Sequence, residues 1–144
     1  FGIMKSHTLI GARLLAQSRS EVVELGQRIA LAHHENWDGS GYPVGIAGTR
    51  IPLPGRIVRI VDAFDALVSR RPYKDAYPPE VALRILIKGR GSSFDPDLTD
   101  ILVEHAEAFV FTGTKEQDTC QRAFRHFTFS QRDRHDFPDI AQPV

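Results

Sequence analysis

Cysteine is almost missing from this 144-residue chain: one residue, Cys120, excludes an intramolecular disulfide and a thiolate zinc cage. Long apolar runs are missing too. None exceeds four residues, at 29–32 and 108–111, against the ~20 that a membrane span needs, so no membrane contact is expected. Net charge is zero, with 18 Lys and Arg against 18 Asp and Glu. The chain as a whole therefore has no field to steer it to a nucleic acid polymer or an anionic lipid, and any anion site must be local. No stretch alternates apolar and polar residues with β-branched enrichment, which argues against a sheet. No signal peptide is visible, and with one cysteine a reducing, cytoplasmic compartment is expected. The chain opens on Phe1, which reads as a piece of something longer.

What is present is ordinary for a globular protein, with 42% hydrophobic and 25% charged residues. The length suits one domain, and helical periodicity dominates. Ile3, His7, Ile10 and Leu14 recur at helical spacing between Phe1 and Gln17. A second helix is expected from an N-cap at Ser20 to about His34, with Val22, Leu25 and Ile29 on one stripe. Residues 35–53 hold Gly39, Gly41, Gly45, Gly48, Pro43 and Pro52, too many breakers for regular structure. Loops that long inside compact domains are usually functional. A third helix is predicted from Pro54 to about Arg70, its main face formed by Ile57, Ile60, Val61, Phe64, Leu67 and Val68. A fourth opens at Pro79 with Glu80 in its first turn, and a fifth at Asp95 with Pro96 in the first helical position. Beyond Phe111 the chain turns polar and weakly periodic, so 1–111 reads as the domain and 112–144 as a helical extension or tail. The fold class is all-α.

The chemistry concentrates on histidines and carboxylates. Continuing the second helix places His33 and His34 on or beside an apolar surface, where an imidazole needs an acceptor or a metal. Either ring could be a satisfied core histidine, but adjacency favours a ligand pair. On the third helix Arg56, Arg59 and Arg70 share one arc, while Asp62, Asp65 and Ser69 form a separate row. Charges mixed for i,i+4 pairing would be usual on a solvated face, so the acidic row suggests a nearby cation; helix capping or salt bridging is the alternative. His7 lies on the apolar stripe of the first helix. Histidines and a carboxylate from facing helices suit iron, manganese or zinc, and the sequence places His7, His33, His34 and Asp62 around one cavity.

Residues His33 to Pro43, HHENWDGSGYP, resemble the HHExxDGxGYP element of the HD-GYP family. The resemblance continues through Gly48, Ile51-Pro52-Leu53, Arg56-Ile57, Asp62, Asp65-Ala66-Leu67, Ser69, Arg71-Pro72-Tyr73-Lys74, Gly91 and Phe94-Asp95-Pro96. It covers residues 1 to about 110. It implies a helical bundle of the HD phosphodiesterase type with a long GYP loop. It also implies metal-dependent hydrolysis of the bacterial second messenger cyclic di-GMP to pGpG or GMP, within a signalling protein. The implied cofactor is a centre of two or three divalent ions, iron or manganese. The implied ligands are His7, His33, His34 and Asp62, with His33, His34 and Asp62 catalytic. Tyr42, Asp65, Arg71 and Lys74 would bind substrate. Family members can meet GGDEF-type or other signalling proteins through the GYP loop, and a homodimer is possible within this resemblance.

The chain departs from the family in one respect. The name-giving His-Asp dyad and its following lysine belong upstream of the helix holding His7, and this sequence begins after that point. The chain is therefore expected to be the C-terminal portion of such a domain and inactive by itself. A His135-Asp136 pair lies on the wrong side of the motif set and is not expected to substitute. The competing reading is a degenerate, non-catalytic module that binds cyclic di-GMP or a partner protein.

Overall fold

Small residues decide how the first two helices meet. In the computed structural model, which describes residues 2–18, 20–73 and 75–106, α1 spans Gly2–Leu15 and α2 spans Glu21–Ala32. Gly11 faces Ala30, Gly26 faces Leu15 and His7 meets His33, so partner numbers fall along α2 as they rise along α1. The helices form an antiparallel hairpin. Thr8 and Ala12 are buried, and the Thr8 hydroxyl donates to the Lys5 carbonyl at 2.9 Å, which satisfies it inside the hairpin. Ser20 occupies the N-cap position of α2 with extended backbone but makes no side-chain cap; Glu21 and Glu24 in the first turn complement the helix dipole instead. The helix ends earlier than its periodicity suggests, at Ala32, and His33 becomes the C-cap residue.

Helix α3, Leu53–Val68, is rotated from the face its apolar residues define. Ile60, Phe64, Ala66 and Leu67 are buried, whereas Ile57 and Val61 are 44% and 45% exposed. Gly55 sets this orientation. A Cβ on it would stand 2.5 Å from the Cβ of Ala32, so the α3 backbone lies directly on the end of α2. That contact turns Arg56 and Arg59 inward, under the loop, where both are half-buried. The long loop between α2 and α3 contains one 3₁₀ turn, Gly48–Arg50.

Helices α4, Pro79–Lys88, and α5, Pro96–Glu104, start where proline and cap chemistry place them. The Asp95 carboxylate accepts from the backbone of Asp97 at 2.9 Å and Leu98 at 3.4 Å. Ile60, Phe64 and Leu67 of α3 pack with Ala82, Leu83 and Leu86 of α4, with Phe94, and with Leu102 and Ala106. This core fixes α3 and so its site-facing side. The all-α expectation is borne out: among the described residues there are five α-helices and no strand, and an isolated bridge joins Arg90 and Phe94. No helix among them is long and apolar enough to cross a membrane. Lys74, Cys120, the His135-Asp136 pair and the tail 112–144 lie outside the described residues.

Candidate metal centre and its loop

Three imidazoles converge at the open end of the α1–α2 hairpin. The ligand atoms of His7, His33 and His34 all lie within 4.8 Å of one another. Ring centroids are separated by 5.3 Å for His7 and His33, 4.9 Å for His7 and His34, and 4.2 Å for the adjacent pair. The His33 Nδ1 faces the carbonyls of Ile29 and Ala30 at 3.0 and 3.1 Å. Carbonyls only accept, so Nδ1 carries the proton and Nε2 presents its lone pair, the arrangement typical of a ligating histidine. That Nε2 lies 3.2 Å from Nε2 of His7. Nitrogens this close share either one proton or one cation; for two ligands at ~2.1 Å from one ion, tetrahedral geometry gives roughly 3.4 Å.

His34 is held neutral. Burial, then the neighbouring charges of His33, Arg59 and His7, push it down to about 4, against an opposing pull from Asp62. An uncharged imidazole keeps the lone pair a metal requires. The donor set therefore fits a divalent metal of borderline character.

The loop is folded back onto this cluster. Glu35 is 2% exposed, and its carboxylate accepts from Val44 at 2.8 Å and Gly45 at 3.0 and 3.1 Å, closing residues 35–45 into a ring. Gly41 passes so near that a Cβ would overlap the backbone of Asn36 and His34, so only glycine fits there. The Tyr42 amide donates to the His34 carbonyl at 3.1 Å. Its ring stacks on His34 at 4.7 Å, 21° from parallel. Burial raises its phenol above the ordinary value. Beneath the loop Arg56 pairs with Asp95, donates to the Ile51 carbonyl at 2.9 Å and lies 5.8 Å from the Trp37 ring centroid. This structural ion pair joins α3 to the α5 cap.

The remaining expected site residues are placed differently. Asp62 is exposed on α3 and stands outside the three-histidine cluster, close enough for its charge to act on His34, Tyr42 and Arg59. Asp65 is exposed and accepts from the Ser69 hydroxyl at 3.3 Å. Arg71 is exposed. Two residues that the sequence did not assign to the site adjoin it. Lys5 places Nζ 4.9 Å from the Tyr42 ring centroid, and Arg59 donates to the Asn36 amide oxygen from Nε at 3.3 Å and Nη2 at 3.0 Å. The spacing of Arg59, one turn before Asp62, was the available signal.

The family profile described as HD domain matches residues 2–98, more than half of the chain. The chain belongs to the HD-domain family. Its HHExxDGxGYP element, together with relatives that carry phosphodiesterase names, places it in the HD-GYP branch. It is 44% identical over 127 residues to the cyclic di-GMP phosphodiesterase of Thermotoga maritima, covering 87% of this chain and 34% of that protein. It is 50% identical over 101 residues to the cyclic di-GMP phosphodiesterase response regulator RpfG of Xanthomonas campestris, covering 70% and 27%. The 3'3'-cGAMP-specific phosphodiesterase 2 of Vibrio cholerae is 40% identical over 110 residues, 76% of this chain and 21% of that protein. This HD-GYP chain thus spans about a third or less of these relatives. The crystal structure of a cyclic GMP-AMP specific phosphodiesterase from Vibrio cholerae superposes with a TM-score of 0.63 at 26% identity, over 85% of this chain and 28% of that one. The HD fold is common to both.

Proposed function

We propose that this chain is the metal-holding part of a phosphodiesterase that hydrolyses cyclic di-GMP to pGpG or GMP. The observation that carries this reading is the trio His7, His33 and His34, with ligand atoms within 4.8 Å and Tyr42 stacked on one member. The three histidines would hold the metal, and Asp62 would complete the set from α3. Iron or manganese suits these nitrogen and oxygen donors. Bound divalent ions supply an activated water and neutralise charge on the reacting phosphodiester.

The protein's own groups supply the rest. The Ile29 and Ala30 carbonyls hold the His33 proton on Nδ1, and burial keeps His34 uncharged. Tyr42 offers a ring face and a protonated hydroxyl to a guanine base or a phosphate oxygen. Arg71 and Lys74 bring further cationic donors for phosphate, and Asp65 a carboxylate acceptor for the guanine N–H edge. The exposed loop positions Asp38, Ser40 and Val44 are the surface for a GGDEF-type partner. Such a signalling enzyme would act in the cytoplasm.

The test is chromatography of the products that the complete protein containing this chain forms from cyclic di-GMP and from 3'3'-cGAMP, with metal content measured alongside. Turnover of cyclic di-GMP that His34→Ala abolishes, together with metal loss, is the expected result. Metal retained and most of kcat kept in His34→Ala would sink the hydrolase reading. Nucleotide binding without turnover in the complete wild-type protein would favour the non-catalytic module.

A further inference from the structure

Arg59 is a half-buried guanidinium with no ion pair among the described residues, and the carboxylate of Asp62 acts on it only through its charge. Charged groups removed from water normally have a counter-charge. Among the described residues no carboxylate lies within ion-pair distance of Arg59, whereas Arg56, Arg70 and Arg90 each have one. Its partners are one neutral amide oxygen, that of Asn36, and the ring of Phe94 at 5.5 Å. Two bonds to Asn36 leave three of the five N–H donors of the fork without a hydrogen bond among the described residues, and since no buried side-chain nitrogen there lacks a partner, these donors are open to solvent. Asn36 is itself held by Ser40, its amide donating to the hydroxyl at 3.0 Å. The guanidinium is therefore pinned on one side only.

Its position is beside the histidines. Asn36 follows His34 by two residues, and Arg59 precedes Asp62 by one helical turn. The charge of Arg59 acts on both His34 and Tyr42, and burial lowers the guanidinium from its ordinary value against the opposing pull of Asp62 and Tyr42. A second cation approaches from another helix: Lys5 of α1 holds Nζ 4.9 Å from the Tyr42 ring centroid, two residues before His7.

We propose that Arg59 and Lys5 form an oxyanion subsite beside Tyr42, which takes a phosphate group of the substrate. Arg59 is the preorganised fork and Lys5 the mobile charge at the rim. The substrate follows from the phosphodiester reading above, but the subsite itself is tested without it.

The first measurement is a titration of the metal-stripped protein with inorganic phosphate, followed by ³¹P NMR. Saturable binding that Arg59→Gln and Lys5→Ala each weaken about ten- to a hundredfold is the expected result, with Arg59→Lys intermediate. Lys5 is exposed, so Lys5→Ala remains decisive if Arg59→Gln fails to fold. Phosphate affinity unchanged within twofold in Lys5→Ala, or in a folded Arg59→Gln, overturns the subsite. The second measurement is steady-state kinetics on cyclic di-GMP of the complete, metal-loaded protein that contains this chain. KM rises in both variants while kcat and metal content stay near the wild type; a loss confined to kcat also overturns the proposal. A complete phosphodiesterase containing this chain that binds phosphate through these two residues but turns over no cyclic dinucleotide would remove the hydrolase reading and leave the subsite standing.

Discussion

Between an ordinary value of 6.5 and about 4 in the fold, His34 refuses a proton that the unfolded chain accepts. Its unfolded state binds more protons in that window, so folding stability rises with pH across it. Stability is fully present above pH 6.5, is lost progressively as pH falls toward 4, and is not lost further by this group below that. Urea midpoints of the metal-free protein at pH 4.5 and 7.5 should differ more in the wild type than in His34→Gln. Equal pH dependence in the two would show that His34 is not held neutral. The adjacency of His33 and His34 and the helical position of His7 were legible in the sequence, because i to i+4 spacing dictates which way a helical side chain points. The inward turn of Arg59 was not. A helical projection sets Arg56, Arg59 and Arg70 on one arc, yet α3 ends at Val68, short of the expected Arg70, so Arg70 is exposed beyond the helix while Arg59 is half-buried within it.

At the scale of the element, α3 shows why the sequence pattern and the packed face diverge. The apolar stripe includes Ile57 and Val61, but the Gly55 contact with Ala32 rotates the helix so that these two remain exposed while Phe64 enters the core. Phe64→Ala should therefore destabilise by about 3 to 5 kcal/mol. Ile57→Gln should cost about 0.5 kcal/mol or less. Chemical denaturation of the two variants compares them directly, and comparable losses would show that the stripe, not the glycine contact, sets the orientation. Helix existence and starts were readable because Pro79, Pro96 and Asp95 act locally. The loop was readable as irregular from its glycines and prolines, but not its closure. That depends on the Glu35 carboxylate meeting amides nine and ten residues onward, a pairing no local pattern encodes.

For the whole molecule, the decisive feature is that the three histidines all sit on one hairpin, while Asp62 sits on a helix anchored in the α3–α4–α5 core. A metal held by the trio binds the folded hairpin and not the unfolded chain, so it must stabilise the fold by mass action. At a hundredfold excess over the dissociation constant the gain is about 2.7 kcal/mol. For a chain near 150 residues that raises Tm by roughly 5 to 11 °C. Calorimetry with Mn²⁺ should show this rise in the wild type and none in His33→Ala, which loses the imidazole oriented by two carbonyls. Asp62→Asn should keep part of the rise, because its carboxylate lies outside the cluster and the nitrogens alone can hold an ion. A full rise in His33→Ala would place the metal elsewhere. Complete loss in Asp62→Asn would make the carboxylate an equal ligand, and the hairpin would then be locked to the core through the ion itself.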